Sequence, residues 1–369
     1  MPAEILAAYG ITNYTSIQPF GTGLINNTWK VITPSKDYIL QRINHKVFPQ
    51  PEHIAHNIEV VANYLQKNEP GYFFPALVKT PDGRKMVFHS EKGYFRLFPF
   101  INGSCSHDVA KSAHQAYEAA RQFGLFTKML SNVPVDQLKK PIPDFHNLNL
   151  RFGQFETATR EGNPSRIVEA NEEILFIWEQ DHILKKYEEI SQDNAFKLRL
   201  THHDTKISNV LFDKSGNGLC VVDLDTMMPG YFISDVGDMM RTYLCVYSEE
   251  EKDLSRIEIR DEYFVAILNG YLGQMAGELS PEEVGNFVYS GLFMTYMQAI
   301  RFLTDYLNND AYYGAGYEKH NYIRARNQLT LLKKILGKKE KFNRMISEAV
   351  DRSSPSFLHV LSQKENLQT

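Results

Sequence analysis

The side chains with the clearest chemical potential lie between Thr201 and Asp225. The run Thr201-His202-His203-Asp204-Thr205-Lys206-Ile207-Ser208-Asn209 leads, through a Gly-rich turn, to Cys220-Val221-Val222-Asp223-Leu224-Asp225. Phosphoryl transfer needs a carboxylate beside the attacking hydroxyl, an oxygen ligand for Mg²⁺ further along the same loop, and a second carboxylate that holds metal against the phosphates. Asp204, Asn209 and Asp223 match those needs in type and order. Asp204 would accept or orient the acceptor's proton, while Asn209 and Asp223 offer the hard oxygens that Mg²⁺ prefers. A lone loop aspartate is usually a turn or cap residue. Here an HxDxxxxN pattern precedes a hairpin ending in Val-Val-Asp, so several independent features agree.

Neighbouring residues take supporting parts. Lys206 could neutralise charge on the transferred phosphoryl oxygens, or be a solvated loop lysine. His202 reads as structural, holding backbone groups just ahead of the loop. Asp225 could join the metal site or cap local backbone, and capping is favoured. Asp235, opening the helical run Ser234–Arg241, suits a buried carboxylate that accepts hydrogen bonds from the loop backbone. Upstream, Gly21-Thr22-Gly23-Leu24-Ile25-Asn26-Asn27-Thr28 lies between two expected strands. Glycines there let the chain lay backbone N–H groups over phosphates, with Gly21, Gly23 and Asn26 as the candidate contacts. A two-glycine hairpin is common in any sheet, and the motif gains weight from its place ahead of the catalytic loop.

These residues need a frame to position them. At 369 residues the chain exceeds the size at which one hydrophobic core usually stops growing, so two lobes with a cleft between them are expected. Short strand-like runs occupy Tyr14–Phe20, Thr28–Thr33, Tyr38–Ile43, Ala76–Thr80, Lys85–His89 and Tyr94–Pro99, separated by turns such as Pro81-Asp82-Gly83. One helix interrupts them: Ile54, Ile58, Val61 and Leu65 give Glu52–Gln66 an apolar face to lay against the sheet. After Ile101 the pattern turns to long helices at Val109–Leu130, Arg166–Ile190, Ile233–Val246, Glu262–Met275, Pro281–Leu307 and Tyr322–Leu336. Two short strands, Asn209–Phe212 and Leu219–Asp223, are the expected breaks in that lobe. The expectation is an α+β fold, with residues 1–101 as a β-rich nucleotide-binding lobe and 102–369 as a helical lobe carrying the catalytic loop and substrate site. The polar end, from Ser353 to Thr369, is expected to fray.

Composition narrows the partners. A net charge of -4 gives no sign of a nucleic-acid-binding face. Three cysteines, Cys105, Cys220 and Cys245, lie too far apart for a CxxC pair, which argues against a disulfide framework or structural zinc. No signal peptide or membrane-length apolar run is legible, so a soluble, cytoplasmic protein is expected.

The phrases Gly21-x-Gly23-x-Ile25-Asn26-x-Thr28, Tyr38-Ile39-Leu40-Gln41, Thr201-His202-x-Asp204-Thr205-Lys206, Asp223-Leu224-Asp225-Thr226-Met227-Met228-Pro229-Gly230 and Arg301-Phe302-Leu303-x-Asp305-Tyr306-Leu307 carry a resemblance. The chain resembles, over nearly its whole length, the aminoglycoside phosphotransferase and choline kinase superfamily, and within it the bacterial N-acetylhexosamine 1-kinases. That likeness implies a protein-kinase-like two-lobed fold and ATP-dependent phosphorylation of the anomeric hydroxyl of N-acetylglucosamine or N-acetylgalactosamine. It implies Asp204 as base, Asn209 and Asp223 as Mg²⁺ ligands, and Arg301 and Tyr312 as sugar contacts. An Arg fork and a Tyr hydroxyl suit ring hydroxyls and an acetamide carbonyl. The bland alternative for Arg301 is a helix-surface pair with Asp305. Phe100 and Ile101 would form the hinge that holds adenine.

Two departures from the pattern stand out. The third strand reads Ile39-Leu40-Gln41-Arg42, without the lysine that pairs with a helix glutamate and the nucleotide phosphates. Gln41 or Arg42 must substitute, and an Arg42 to Glu59 contact would preserve the charge pairing. Relatives often carry a histidine where this chain has Leu24, which bears on sugar recognition. Two rival readings stay open: a kinase for an aminoglycoside, choline or another monosaccharide, and a nucleotide-binding pseudokinase.

Overall fold

The computed structural model describes residues 2–21 and 25–353. Its first lobe is built on one antiparallel sheet, β1 (Ser16–Pro19), β2 (Asn27–Ile32), β3 (Tyr38–Arg42), β4 (Val87–His89) and β5 (Gly93–Pro99), in the spatial order β1-β2-β3-β5-β4. Side chains alternate across a strand, so register decides what each face presents. One face carries Val31, Leu40, Phe95 and Leu97, which form a small core with Ile5, Leu6 and Tyr9 around α1 (Pro2–Ala8). The other face aligns Thr28, Gln41 and Arg96 on three adjacent strands through the pairs Thr28↔Gln41 and Gln41↔Arg96.

Two expectations for this lobe change. Ala76–Thr80, flanked by Pro75 and Pro81, forms no regular strand and touches the sheet through the Val78 N–H bond to Leu97 O at 2.8 Å. The helix α2 (Pro51–Asn68) buries Ile54, Ile58, Val61 and Leu65 as its spacing predicts, but that face joins the core of the larger lobe. There Asn57 donates to Met227 O at 2.8 Å and Lys139 O at 3.0 Å, binding α2 to the segment after Asp223.

The larger lobe comprises α3 (Ala113–Met129), α4 (Leu148–Glu161), α5 (Pro164–Glu169), α6 (Asn171–Glu179), α7 (His182–Gln192), α8 (Phe232–Tyr243), α9 (Asp261–Met275), α10 (Pro281–Gly285), α11 (Phe287–Leu307) and α12 (His320–Ser353). The expected Arg166–Ile190 helix is three helices, and Pro281–Leu307 is two, breaking at Asn286. Helix α4 was not legible in the pattern, and α12 continues well past Leu336. Apart from Ser353, the C-terminal stretch expected to fray lies outside the described residues. At Gly237 on α8 an added Cβ would lie 2.8 Å from Met294 Cβ on α11, so glycine permits these helices to approach closely. Among the described residues no helix is long and apolar enough to cross a membrane.

Strands β7 (Val210–Phe212) and β8 (Gly218–Val221) form the expected hairpin. A second pair, β6 (Arg199–Thr201) with β9 (Met228–Gly230), was missed, since three residues per strand leave no readable alternation. It brackets the loop that carries Asp204 and is tethered from below. Buried Arg199 pairs with buried Glu283, Nη2 to Oε2 at 2.9 Å, and Glu283 also accepts from the backbone N–H of Lys197 at 3.1 Å and Ser280 at 2.9 Å. Glu283→Ala would leave the guanidinium buried without its carboxylate. We expect a loss of about 3–5 kcal/mol in urea unfolding; a loss below ~1 kcal/mol, the size of an exposed pair, would show that β6 is held by something else.

Candidate active site

The loop after β6 is held by its backbone. Asp235, wholly buried in the first turn of α8, accepts His202 N–H at 3.0 Å and His203 N–H at 2.8 Å, one on each carboxylate oxygen. Thr205 Oγ1 donates to Asp235 O at 2.7 Å, and Tyr243 Oη donates to Thr205 O at 2.6 Å. Burial pushes the Asp235 carboxyl up to about 6, against the pull of those N–H bonds. His202 bonds Val222 O through Nε2 at 3.0 Å and accepts the Asp204 N–H at Nδ1 at 3.3 Å, tying the loop to the hairpin. These are the backbone-holding parts expected of Asp235 and His202.

The three central residues come together. Asn209 Nδ2 donates to Asp204 O at 2.8 Å and Asp204 Oδ2 at 3.0 Å, which directs the amide oxygen away from the carboxylate. Val222 N–H bonds Asn209 O at 2.9 Å, so Asn209 and Asp223 sit together at the hairpin base. Lys206 Nζ lies 3.2 Å from Asp204 Oδ2, and that negative charge chiefly raises the ammonium's pKa. Asp223 adopts a left-handed backbone, φ 60°. Asp223 is exposed as a residue, while the surrounding protein desolvates its carboxyl. Crowding first, then the charges of Asp225 and Asp204, push it up to about 7. A divalent cation between Asn209 and Asp223 would relieve that repulsion. Among the described residues no group of three or more His, Cys, Asp and Glu forms a ligand cluster. A pair of oxygen ligands nonetheless suits Mg²⁺, which completes its shell with phosphate and water.

The expected Arg42 to Glu59 pairing is not made. Glu59 points outward and pairs with Lys85 and, at 2.8 Å, with Lys79, and these lysines hold its carboxyl below the usual range. The buried cation comes from Arg96, across from Gln41 on β5. Gln41 Oε1 accepts from Arg96 Nε at 3.0 Å and Nη2 at 2.8 Å, and the free Nη1 pairs with Asp225. Asp225, expected to cap local backbone, is instead the carboxylate of this ion pair, and it also accepts from Asn26 Nδ2 at 2.7 Å. Asn26 Oδ1 takes the Asn44 N–H at 3.0 Å, so both its polar ends are spent within the protein. One sequence signal pointed to Arg96: a charge set inside the apolar run Tyr94-Phe95-Arg96-Leu97-Phe98.

The remaining candidates divide. Gly21 has φ +79°, a conformation that glycine accommodates at no steric cost, whereas Gly23 lies outside the described residues. At the expected hinge, Phe100 N–H is taken by Asp37 O at 2.9 Å and Ile101 O accepts the Ser104 hydroxyl at 2.7 Å. Among the described residues Ile101 N–H has no hydrogen-bond partner and is the open backbone donor. Arg301 does not pair with Asp305. It lies 5.5 Å from the ring centroids of both Phe145 and Tyr313, while Asp305 accepts the N–H groups of Tyr312 at 2.7 Å and Tyr313 at 2.9 Å. The Tyr312 side chain is 72% exposed. A surface cavity of about 440 Å³ between α7, α11 and α12 shares no residue with this cleft.

The family model described as "Phosphotransferase enzyme family" matches residues 16–279. Among solved structures, a microcompartment-associated aminopropanol kinase is similar with a TM-score of 0.65 at 16% identity, covering 93% of this chain and 98% of that one. An aminoglycoside phosphotransferase from Alicyclobacillus acidocaldarius gives 0.63 at 10% identity, with 94% and 97% covered. A choline kinase from Cryptosporidium parvum gives 0.55 at 14% identity, with 88% and 90% covered. At these identities the likeness is one of fold.

The Arg96–Asp225 pair yields a quantitative expectation. Arg96→Met alone should cost about 3–5 kcal/mol by leaving a buried carboxylate unpaired, and Arg96→Met with Asp225→Asn should recover much of that loss. Chemical unfolding of the two single variants and the double variant measures the coupling; strictly additive losses would rule the interaction out.

Proposed function

The chain belongs to the phosphotransferase enzyme family, and we propose that its cleft transfers the γ-phosphoryl group of ATP to the anomeric hydroxyl of an N-acetylhexosamine, giving the sugar 1-phosphate. One observation carries the reading: the Asn209 amide bonded to the Asp204 carboxylate, beside Asp223 at the hairpin base. In this reading residues 1–101 hold the nucleotide and 102–369 supply the loop and acceptor site. Asp204 orients the acceptor hydroxyl and takes its proton as the oxygen attacks the γ-phosphorus and the bond to ADP breaks. Lys206, already drawn to Asp204, offsets charge on the transferred group. Asn209 and Asp223 would hold Mg²⁺, which would supply positive charge against the phosphates. Ile101 N–H offers a donor to adenine, and Arg301, free of Asp305, offers its guanidinium to the sugar.

The acceptor class is supported by the motifs shared with N-acetylhexosamine 1-kinases and by the chemistry around Arg301. Burial first, then His203 and the positive charges of Arg301, Arg241 and Arg151, hold His146 well below its usual range, a setting that favours neutral or electron-rich acceptor groups over an ammonium. The decisive experiment incubates the protein with Mg·ATP and a panel of N-acetylhexosamines, other sugars, aminoglycosides and choline, and identifies the product by phosphorus NMR. A hexosamine 1-phosphate is expected; turnover confined to amines would replace the substrate, and nucleotide binding with no turnover would favour the pseudokinase. Asp204→Asn should lower kcat by roughly 10²–10⁴-fold while the KM for ATP changes little. Near-normal turnover in that variant would remove Asp204 from the base role.

A further inference from the structure

A chain of hydrogen bonds runs from the β6–β9 pair toward Arg301 and fixes the protonation of a histidine that no sequence motif picked out. Thr201 Oγ1 donates to Met228 O at 3.2 Å. A hydroxyl has one proton, so the same oxygen accepts at its 2.7 Å contact with His203 Nε2, which therefore carries hydrogen. Neutral His203 then offers a lone pair at Nδ1, and His146 Nδ1 lies 3.3 Å away as its donor. A neutral imidazole has a single N–H, so His146 Nε2 is left as a bare acceptor. Among the described residues it has no hydrogen-bond partner.

The geometry around the two rings is built. An added Cβ at Gly230 would lie 2.6 Å from His203 Nε2 and 2.5 Å from Thr201 Oγ1, so glycine there leaves room for the contact. His203 itself adopts φ 65°, a conformation few side chains tolerate, and its N–H bond to Asp235 Oδ1, beside the His202 N–H bond to Oδ2, holds it there. Phe145 stacks on His146 at 4.4 Å, and the Arg301 guanidinium lies 5.5 Å from the Phe145 ring. Burial holds both histidines below their usual range, His203 at about 4, and at His146 the neighbouring His203 and Arg301 add to it, which agrees with neutral rings.

We propose that His146 is a specificity-determining residue whose Nε2 accepts a hydrogen bond from a neutral O–H or N–H of the acceptor, while Arg301 donates to a neighbouring oxygen of the same molecule. The proposal rests on the kinase reading above and narrows its acceptor to one presenting a donor and an acceptor side by side, as a polyhydroxylated or acylated sugar does. His203 and Thr201 are positioning residues that act through His146.

Two measurements test it. Nitrogen NMR of the ¹⁵N-histidine-labelled protein reads the tautomer without turnover: a bare Nε2 and protonated Nδ1 are expected at His146, and a protonated Nε2 would overturn the proposal. His146→Asn keeps a polar atom near Nδ1 and lacks one at Nε2, whereas His146→Gln can place an amide oxygen near Nε2. We expect His146→Asn to lose about tenfold in kcat/KM for the sugar, the size of one hydrogen bond, with the KM for ATP unchanged and His146→Gln retaining most of the activity. Equal behaviour of the two variants would defeat it. Should His146→Asn not fold, His146→Phe is compared with His146→Gln in the same way. A wild-type protein that turns over amines and no sugar would refute the acceptor assigned here; one that phosphorylates nothing would instead strike the kinase reading, with the NMR result standing apart.

Discussion

The buried contact between Arg96 and Asp225 joins the two lobes two residues beyond Asp223. Neither charge could be left alone in that setting, because desolvation of an isolated ion costs several kcal/mol. Gln41 takes the other guanidinium edge and Asn26 the second carboxylate oxygen, so the polar demand is met within four side chains. Two of these are on the cleft face of the sheet, one follows the glycine loop, and one is two residues beyond Asp223. The position of the Asp223–Asp225 segment and the position of the sheet are therefore not independent.

The same economy governs the Thr201–Asn209 loop. It has little apolar surface of its own to bury, and it is held by polar groups that are themselves buried: Asp235 through two loop N–H groups, Tyr243 through Thr205, and Arg199 through Glu283 at the base of β6. Left-handed conformations at His203 and Asp223 are sustained by that scaffold. Rigid support of this kind suits phosphoryl transfer, in which a protein contributes mainly position and fixed charge. Asp204 meets Asn209 and Lys206 without either partner crossing a lobe boundary, so the central groups are set by one loop and one hairpin.

Much of this is legible in the sequence. Asp204, Asn209 and Asp223 are close in the chain, and a loop followed by a hairpin allows few arrangements that do not bring them together. The strands around Thr28, Gln41 and Tyr94 announced themselves by alternation, and the α2 stripe by its spacing. Errors clustered where the deciding contact was distant in sequence. Glu59 had the right chemistry for a cation on β3 but the wrong side of its helix, where Lys79 and Lys85 meet it. Strands β6 and β9, three residues each, exist because they pair with each other, and no local pattern encodes that.

By itself the sequence determined the class of chemistry, the order of a strand-rich first lobe and a helical second one, and which residue types could carry that chemistry, because those depend on residue type and short spacing. Tertiary structure alone decided that the buried cation comes from β5, that Asp225 receives it, and that His146 lies against His203. Each of these depends on register between strands or on packing across more than fifty residues of chain, and hydrogen-bond partners at that range are chosen by three-dimensional proximity.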